Sequence, residues 1–319
     1  MGMPSSHETA GYSRAFNNYL ETLADHDEQW EGGLHLEVTR RLVGFARPQA
    51  GEACLDLGGG AGIVASALSE AVGPSGMVVS TDVSERSIEM ARSRASGNTH
   101  LIKMSVEAVI FRDHTFDVVV LSRSLTHESD ARAVIGEASR TLKLGGRLAL
   151  FCRRRGLATR AEHAFLYELA AFVQHHPVNL PQQFLGYPGL ADRREVETAL
   201  TTAGFDQITF GDVVTGGRAD DAAAWNREMM RCWPAARILL GGLGAAKRLQ
   251  FEEQIGRVMA TLGEEAFCYH HPYLLATGVK VRDAPPRAAE APAVNHRGGA
   301  IPPDAWPASA KPAWPPWQP

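Results

Sequence analysis

The residues whose types and spacing could do chemistry are concentrated in Cys54-Leu55-Asp56-Leu57-Gly58-Gly59-Gly60-Ala61-Gly62. A short apolar run there meets a glycine cluster and then the helical pattern of Ile63 to Val72. That combination is a nucleotide-binding corner, because glycine accepts positive φ, admits a ligand close to the backbone, and is followed by a helix start with unpaired N–H groups. Asp56, two residues before the first glycine, adds an acceptor. A carboxylate at that point repels a pyrophosphate and attracts a cationic amine, so Asp56-x-Gly58-x-Gly60-x-Gly62 favours a ligand with a positive amino-acid end.

The elements that must position this corner follow from periodicity. Tyr12, Phe16, Tyr19, Leu20 and Leu23 recur at helical spacing up to Trp30, and Leu34, Val38, Leu42 and Phe45 repeat the pattern before Pro48. Two helices are thus expected ahead of the first strand, Ala53 to Leu57. After the helix Ile63 to Val72, Gly73-Pro74-Ser75-Gly76 is a turn and Met77 to Thr81 a second strand ending in Asp82. Ser84 is a good N-cap for a helix from Glu85 to Ser96, stopped by Gly97-Asn98. His100 to Met104 is a third strand. Phe116 to Leu121 is a fourth, a continuous Val-rich run of the kind buried on both faces of a parallel sheet. A helix from Ala131 to Leu142, a turn at Gly145-Gly146 and a strand from Arg147 to Cys152 complete the alternation, which predicts a doubly wound α/β sheet.

Beyond Arg155 the rhythm breaks. Glu162 to His175 is an amphipathic helix rich in aromatics, followed by irregular chain through Pro177, Pro181, Gly186, Pro188 and Gly189. A helix from Asp192 to Thr202 and a strand from Phe205 to Val213 resume the pattern. A second helical insertion from about Asp220 to Leu262 precedes a last strand, Tyr273 to Val281. The expected organisation is an N-terminal helical cap over 1–47, one domain over 48–282 with lid insertions at about 156–190 and 215–265, and a Pro-rich tail over 283–319. That tail cannot bury enough apolar surface to fold alone and is expected to be disordered.

The totals exclude several classes. With 32 basic and 36 acidic residues the formal charge is −4, which is no nucleic-acid footprint. Cys54, Cys152, Cys232 and Cys268 are widely scattered and read as reduced thiols, not as a disulfide framework or a metal site. His175-His176 and His270-His271 lack metal spacing, since neighbours point apart on a helix or strand. No apolar run approaches the roughly 18 residues of a membrane helix, and Met1 is not followed by the apolar core of a signal peptide. A soluble cytoplasmic enzyme is expected, monomeric or homodimeric, acting on a small molecule without nucleic acid.

From Gly51 to Phe151 the chain resembles the class I S-adenosylmethionine (SAM) dependent methyltransferases. The first motif is Leu55 to Gly62. Asp82 matches the acidic residue that accepts both ribose hydroxyls, a bidentate contact of a carboxylate with a diol. Phe116-Asp117-Val118-Val119-Val120 and Leu142-Lys143-Leu144-Gly145-Gly146-Arg147-Leu148 resemble the fourth strand and the turn into the fifth. The resemblance implies a Rossmann-like seven-stranded sheet, SAM as cofactor, and a site made by Asp56, Gly58, Gly59, Gly60, Gly62, Asp82, Val83, Ser105, Val106, Glu107, Ser122 and Tyr12. Two departures stand out. Ser105 occupies the place where relatives usually have an Asp that accepts the adenine amino group, with Glu107 as an alternative acceptor. Gly59 stands where many relatives have Cys or another small residue. The N-terminal helices and the two insertions resemble the small-molecule branch, which includes quinone-biosynthesis and natural-product enzymes.

Methyl transfer asks chiefly for in-line positioning, so few catalytic side chains are needed. His127, in Ser122-Arg123-Ser124-Leu125-Thr126-His127, is the candidate base, with a capping or wall role as its alternative. Tyr12 and Tyr19 could cover the cofactor or pack in the core. Trp30, His35, Phe165, Tyr167, Phe184, Tyr187, Trp225 and Trp233 are candidate pocket walls. Arg153-Arg154-Arg155 is a solvated run or a guide for an acidic substrate. Three other functions stay open. The fold could keep SAM while catalysing a cyclisation. Gly60-Ala61-Gly62-Ile63-Val64-Ala65 with Asp82 formally satisfies the dinucleotide pattern of an NAD-binding oxidoreductase. A scaffold could act through Trp306, Trp314 and Trp317 of the tail.

Overall fold

The computed structural model describes residues 34–284, apart from 107, 123–124, 126–130, 155–158, 176–189, 191, 233–235, 237–239 and 241–242. The expected first helix with Tyr12 and Tyr19, and the tail from 285 onward, lie outside the described residues.

Seven strands form one sheet in the order β3-β2-β1-β4-β5-β7-β6. They are β1 (Ala53–Leu57), β2 (Met77–Asp82), β3 (Thr99–Lys103), β4 (Phe116–Leu121), β5 (Leu142–Arg153), β6 (Phe205–Arg218) and β7 (Cys268–Lys280). The first five run parallel, and β7 lies antiparallel between β5 and β6. Helices α1 (Leu34–Ala46), α2 (Ile63–Val72), α3 (Glu85–Arg92), α4 (Ala131–Thr141) and α6 (Arg193–Thr202) flank the sheet. Val118, Val119 and Val120 of β4 are wholly buried because each face of the sheet has its own core. Leu55, Val119 and Leu150 pack with Val134 of α4 and Val196 of α6 on one face. Cys54, Val118, Val120 and Phe151 pack with Leu42 of α1 and Leu68 of α2 on the other. Strand order reverses between β1 and β4, and ligands in such sheets sit at that switch, beyond the carboxyl ends of the strands.

The helix expected to reach Ser96 ends at Arg92. Asn98 is the physical reason: its Nδ2 donates to the Gly73 carbonyl at 2.8 Å and holds residues 93–98 against the end of α2. Gly145 and Gly146 lie within β5 instead of preceding it, with Gly145 at φ 82° and an irregular register between Phe116 and Val118 of β4.

The expected bounds of the last two strands were also short. The partner of β5 ends at Tyr273, opposite Arg153, yet β6 and β7 continue pairing with each other as far as Arg218 opposite Cys268. Gly216 and Gly217 belong to this ribbon because Tyr269 packs over them; a Cβ on Gly217 would come within 2.9 Å of the Tyr269 hydroxyl. The ribbon stands beyond the carboxyl edge of the parallel strands and carries the second insertion. Helix α5 (Arg160–His175) comes from the first insertion, and α7 (Ala222–Cys232) and α8 (Ala245–Ala260) from the second. Phe165, Leu169 and Phe172 pack with Trp225, Met229, Phe251 and Ile255 in a third core. The two insertions, read separately in the sequence, are therefore one helical unit.

Candidate active site

The glycine corner sits at the carboxyl end of β1. Gly58, Gly60 and Gly62 have φ of 73°, 55° and 83°, values that a side chain disfavours. The Gly59 N–H donates to the Thr81 carbonyl at 2.8 Å, tying the loop to β2. A Cβ on Gly59 would collide with Ser80 Oγ and the Asp56 carboxylate, and one on Gly62 would lie 2.8 Å from the Ala91 Cβ. The loop is thus pressed onto the sheet and onto α3, and its upper side is free of side chains.

Asp82 ends β2 with a polar task already assigned. One carboxylate oxygen accepts from the Gly60 N–H at 3.0 Å, and the other from the Ser84 N–H at 2.9 Å. Ser84 then caps α3, its side chain accepting from the Ser87 N–H at 3.1 Å. A carboxylate has about four acceptor sites, so these two bonds leave room for a diol. Val83, beside it, exposes a large apolar side chain at the same edge. Ser105 and Val106 are half-buried in the turn after β3, and Ser122 is buried directly after β4.

Asp56 is fully buried beneath Gly59, where the sequence suggested an acceptor open to a ligand amine. Oδ2 accepts from Ser80 Oγ at 3.2 Å, while Oδ1 is enclosed without a hydrogen-bond partner among the described residues. Burial pushes its pKa up to about 7; the Ser80 hydroxyl and the Ala65 amide oppose the rise, and nearby Asp82 adds to it. A buried, unsatisfied acidic oxygen under a glycine loop fits a cofactor that brings positive charge to that loop.

Ser80 and Arg94 are site residues that sequence reading missed. Arg94 Nη1 donates to the Ala61 carbonyl at 3.1 Å and so braces the loop from α3's far side. Neither residue carries a local signal, since a serine in a strand and an arginine after a helix are commonplace; only the packing selects them.

The remaining candidates scatter. Tyr12, Glu107, His127, Trp30, Phe184, Tyr187 and Trp233 lie outside the described residues, and of His35 only its place in α1 is described. Phe165 and Trp225 are wholly buried in the insertion core, whereas Tyr167 is 74% exposed and walls nothing. Arg154 is held by Asp212, with Nη1 2.7 Å from Oδ1, so it is not a free guide for an acidic substrate. His270 and His271 alternate on β7 as expected: His270 faces out and His271 is buried, its Nε2 3.2 Å from Glu228 Oε1 on α7.

Residues 55–150 match the family model described as a methyltransferase domain. In fold, the chain is similar to the YcgJ protein from Bacillus subtilis, with a TM-score of 0.52 at 17% identity over 77% of this chain and 99% of that one. Sheet order, glycine corner and matched domain define a class I SAM-dependent methyltransferase, with SAM as its cofactor. Among curated proteins the chain is similar to the ubiquinone/menaquinone biosynthesis C-methyltransferase UbiE of Pseudomonas putida. It is 27% identical over 232 residues, 67% of this chain and 88% of the relative. The counterpart in Pseudomonas fluorescens (strain Pf0-1) is 26% identical over the same span. These matches favour neither the dinucleotide oxidoreductase nor the non-methylating alternative. No described helix is long and apolar enough to cross a membrane.

Proposed function

We propose that the enzyme methylates O, N or C of a small, quinone-like aromatic metabolite in the cytoplasm, as a monomer or homodimer and without nucleic acid. The single observation that carries the cofactor site is Asp82, whose carboxylate both anchors the loop at Gly60 and faces the switch between β1 and β4. The acceptor class follows from the relatives, which are C-methyltransferases of ubiquinone and menaquinone biosynthesis. The helical unit above the carboxyl edge supports it by offering an apolar cover.

When bound, the cofactor supplies a methyl group on an electron-poor sulfonium. In this reading Asp82 accepts the ribose hydroxyls, and Val83 offers an apolar surface to the adenine. Ser105 or Glu107 meets the adenine amino group, and Val106 borders it. Gly58, Gly59, Gly60 and Gly62 let the methionine portion lie against backbone. Asp56 acts from below as a buried negative charge that favours the ligand's cations, and Ser122 and Tyr12 border the transfer point. His127 removes a proton from a hydroxyl or acidic carbon of the acceptor. The insertion helices exclude water, which strengthens every charge interaction inside.

The test is Asp82→Ala followed by calorimetric titration with S-adenosylhomocysteine. Losing charge-assisted bonds to a diol raises Kd by about tenfold or more per bond. Unchanged affinity would sink the assignment.

A further inference from the structure

The helical unit holds polar groups that packing alone does not explain. Asn226 on α7 is 1% exposed, and both its amide nitrogen and its carbonyl oxygen are enclosed without a hydrogen-bond partner among the described residues. The neighbouring Trp225 is wholly buried with its indole N–H in the same condition. Buried polar atoms in folded proteins nearly always find partners, so an asparagine with neither half satisfied marks a place where something else binds. Water alone meets that need only where several polar groups converge.

The surroundings say what would bind. The Trp225 ring lies 5.9 Å from the Tyr269 ring, which lies 5.3 Å from His271, whose Nε2 is 3.2 Å from Glu228 Oε1. Tyr269 and His271 are on the part of β7 that runs past Tyr273, the residue opposite the last residue of β5. The cluster therefore stands beyond the carboxyl edge of the parallel strands, the side on which the glycine corner opens. Aromatic rings on this edge suit a flat ligand. The primary amide presents a donor and an acceptor side by side, and the edge that complements it carries an acceptor beside a donor, as in a hydroxyl next to a carbonyl. The Glu228 carboxylate disfavours an acid there.

We propose that Asn226, with the Trp225 indole N–H, binds the neutral hydroxy-carbonyl edge of an aromatic acceptor. This deepens the proposed function and rests on it. Such an edge also belongs to enolised compounds whose ring carbon beside the hydroxyl is nucleophilic, so the same group that is recognised prepares the carbon to be methylated.

The probe is 2-hydroxy-1,4-naphthoquinone, titrated into full-length protein loaded with S-adenosylhomocysteine, with 1,4-naphthoquinone as the analogue lacking the hydroxyl. The hydroxylated probe is expected to bind the wild-type protein more tightly than the analogue. Asn226→Leu is expected to weaken the hydroxylated probe about tenfold or more while leaving the analogue and S-adenosylhomocysteine unchanged. Asn226→Asp, which keeps acceptors and removes the donor, should weaken it as well. The ligand-free Asn226→Leu protein should melt no lower than wild type, because it removes an unmet polar group without removing a bond. Equal binding of both probes, failure of the loaded wild-type protein to bind the hydroxylated one, or a lower melting temperature or misfolding of Asn226→Leu would overturn the proposal. Absence of S-adenosylhomocysteine binding by the wild-type protein would instead overturn the methyltransferase site assignment.

Discussion

Asp56→Asn is the perturbation with the largest calculable effect. In the folded protein burial raises the Asp56 pKa from its ordinary 3.8 to about 7. The folded state therefore holds its proton over a range where the unfolded chain has released it. Stability is lost as pH rises from about 4 to about 7 and is level above that, where the ionised carboxylate costs as much as about 4 kcal/mol. Asparagine keeps an acceptor for Ser80 and carries no charge, so the variant escapes this slope. Urea unfolding of both ligand-free proteins, followed by circular dichroism, should show the variant gaining on wild type by about 3 kcal/mol between about pH 4.5 and about pH 8.5. The expected order is variant above wild type at the higher pH. A gap that does not change with pH, or one that narrows as pH rises, would refute the reading of Asp56 as a carboxylate desolvated by the glycine loop.

Gly59→Ala places a methyl group against Ser80 and Asp56 and forces the loop outward. It should destabilise the protein by about 1–3 kcal/mol and raise the Kd for S-adenosylhomocysteine at least about tenfold; binding within twofold of wild type argues against the loop as the cofactor's bed. Phe251→Ala removes a buried ring that meets Phe165 at 5.6 Å and Phe172 at 5.3 Å. A loss of about 3–5 kcal/mol is expected in chemical denaturation, and a loss under about 1 kcal/mol contradicts the joint core of the two insertions. His127→Asn should lower kcat by about a hundredfold and leave S-adenosylhomocysteine affinity alone, and an unaltered kcat removes His127 as the base.

What the sequence by itself determined is local in origin. The bounds of β1, α2 and β4 follow from apolar runs bracketed by glycine and polar turns, and the observed elements match them residue for residue. The place of Asp82 at the end of β2 follows from the same punctuation. These patterns are legible because period and turn chemistry act over a few residues. Tertiary structure decided the rest. Whether Asp56 opens to a ligand or lies under Gly59 depends on Ser80, 24 residues away on the next strand. That the two insertions share one core depends on pairs such as Phe165 with Phe251, which only the closed chain brings together. The length of β6 and β7 depends on their pairing with each other past the end of β5, which no local propensity encodes. The pairing of His271 with Glu228, 43 residues apart, is of the same kind. Burial and hydrogen bonding between distant segments are properties of the packed chain, and that packing set the charge state of the site and put unmet polar groups on the acceptor side.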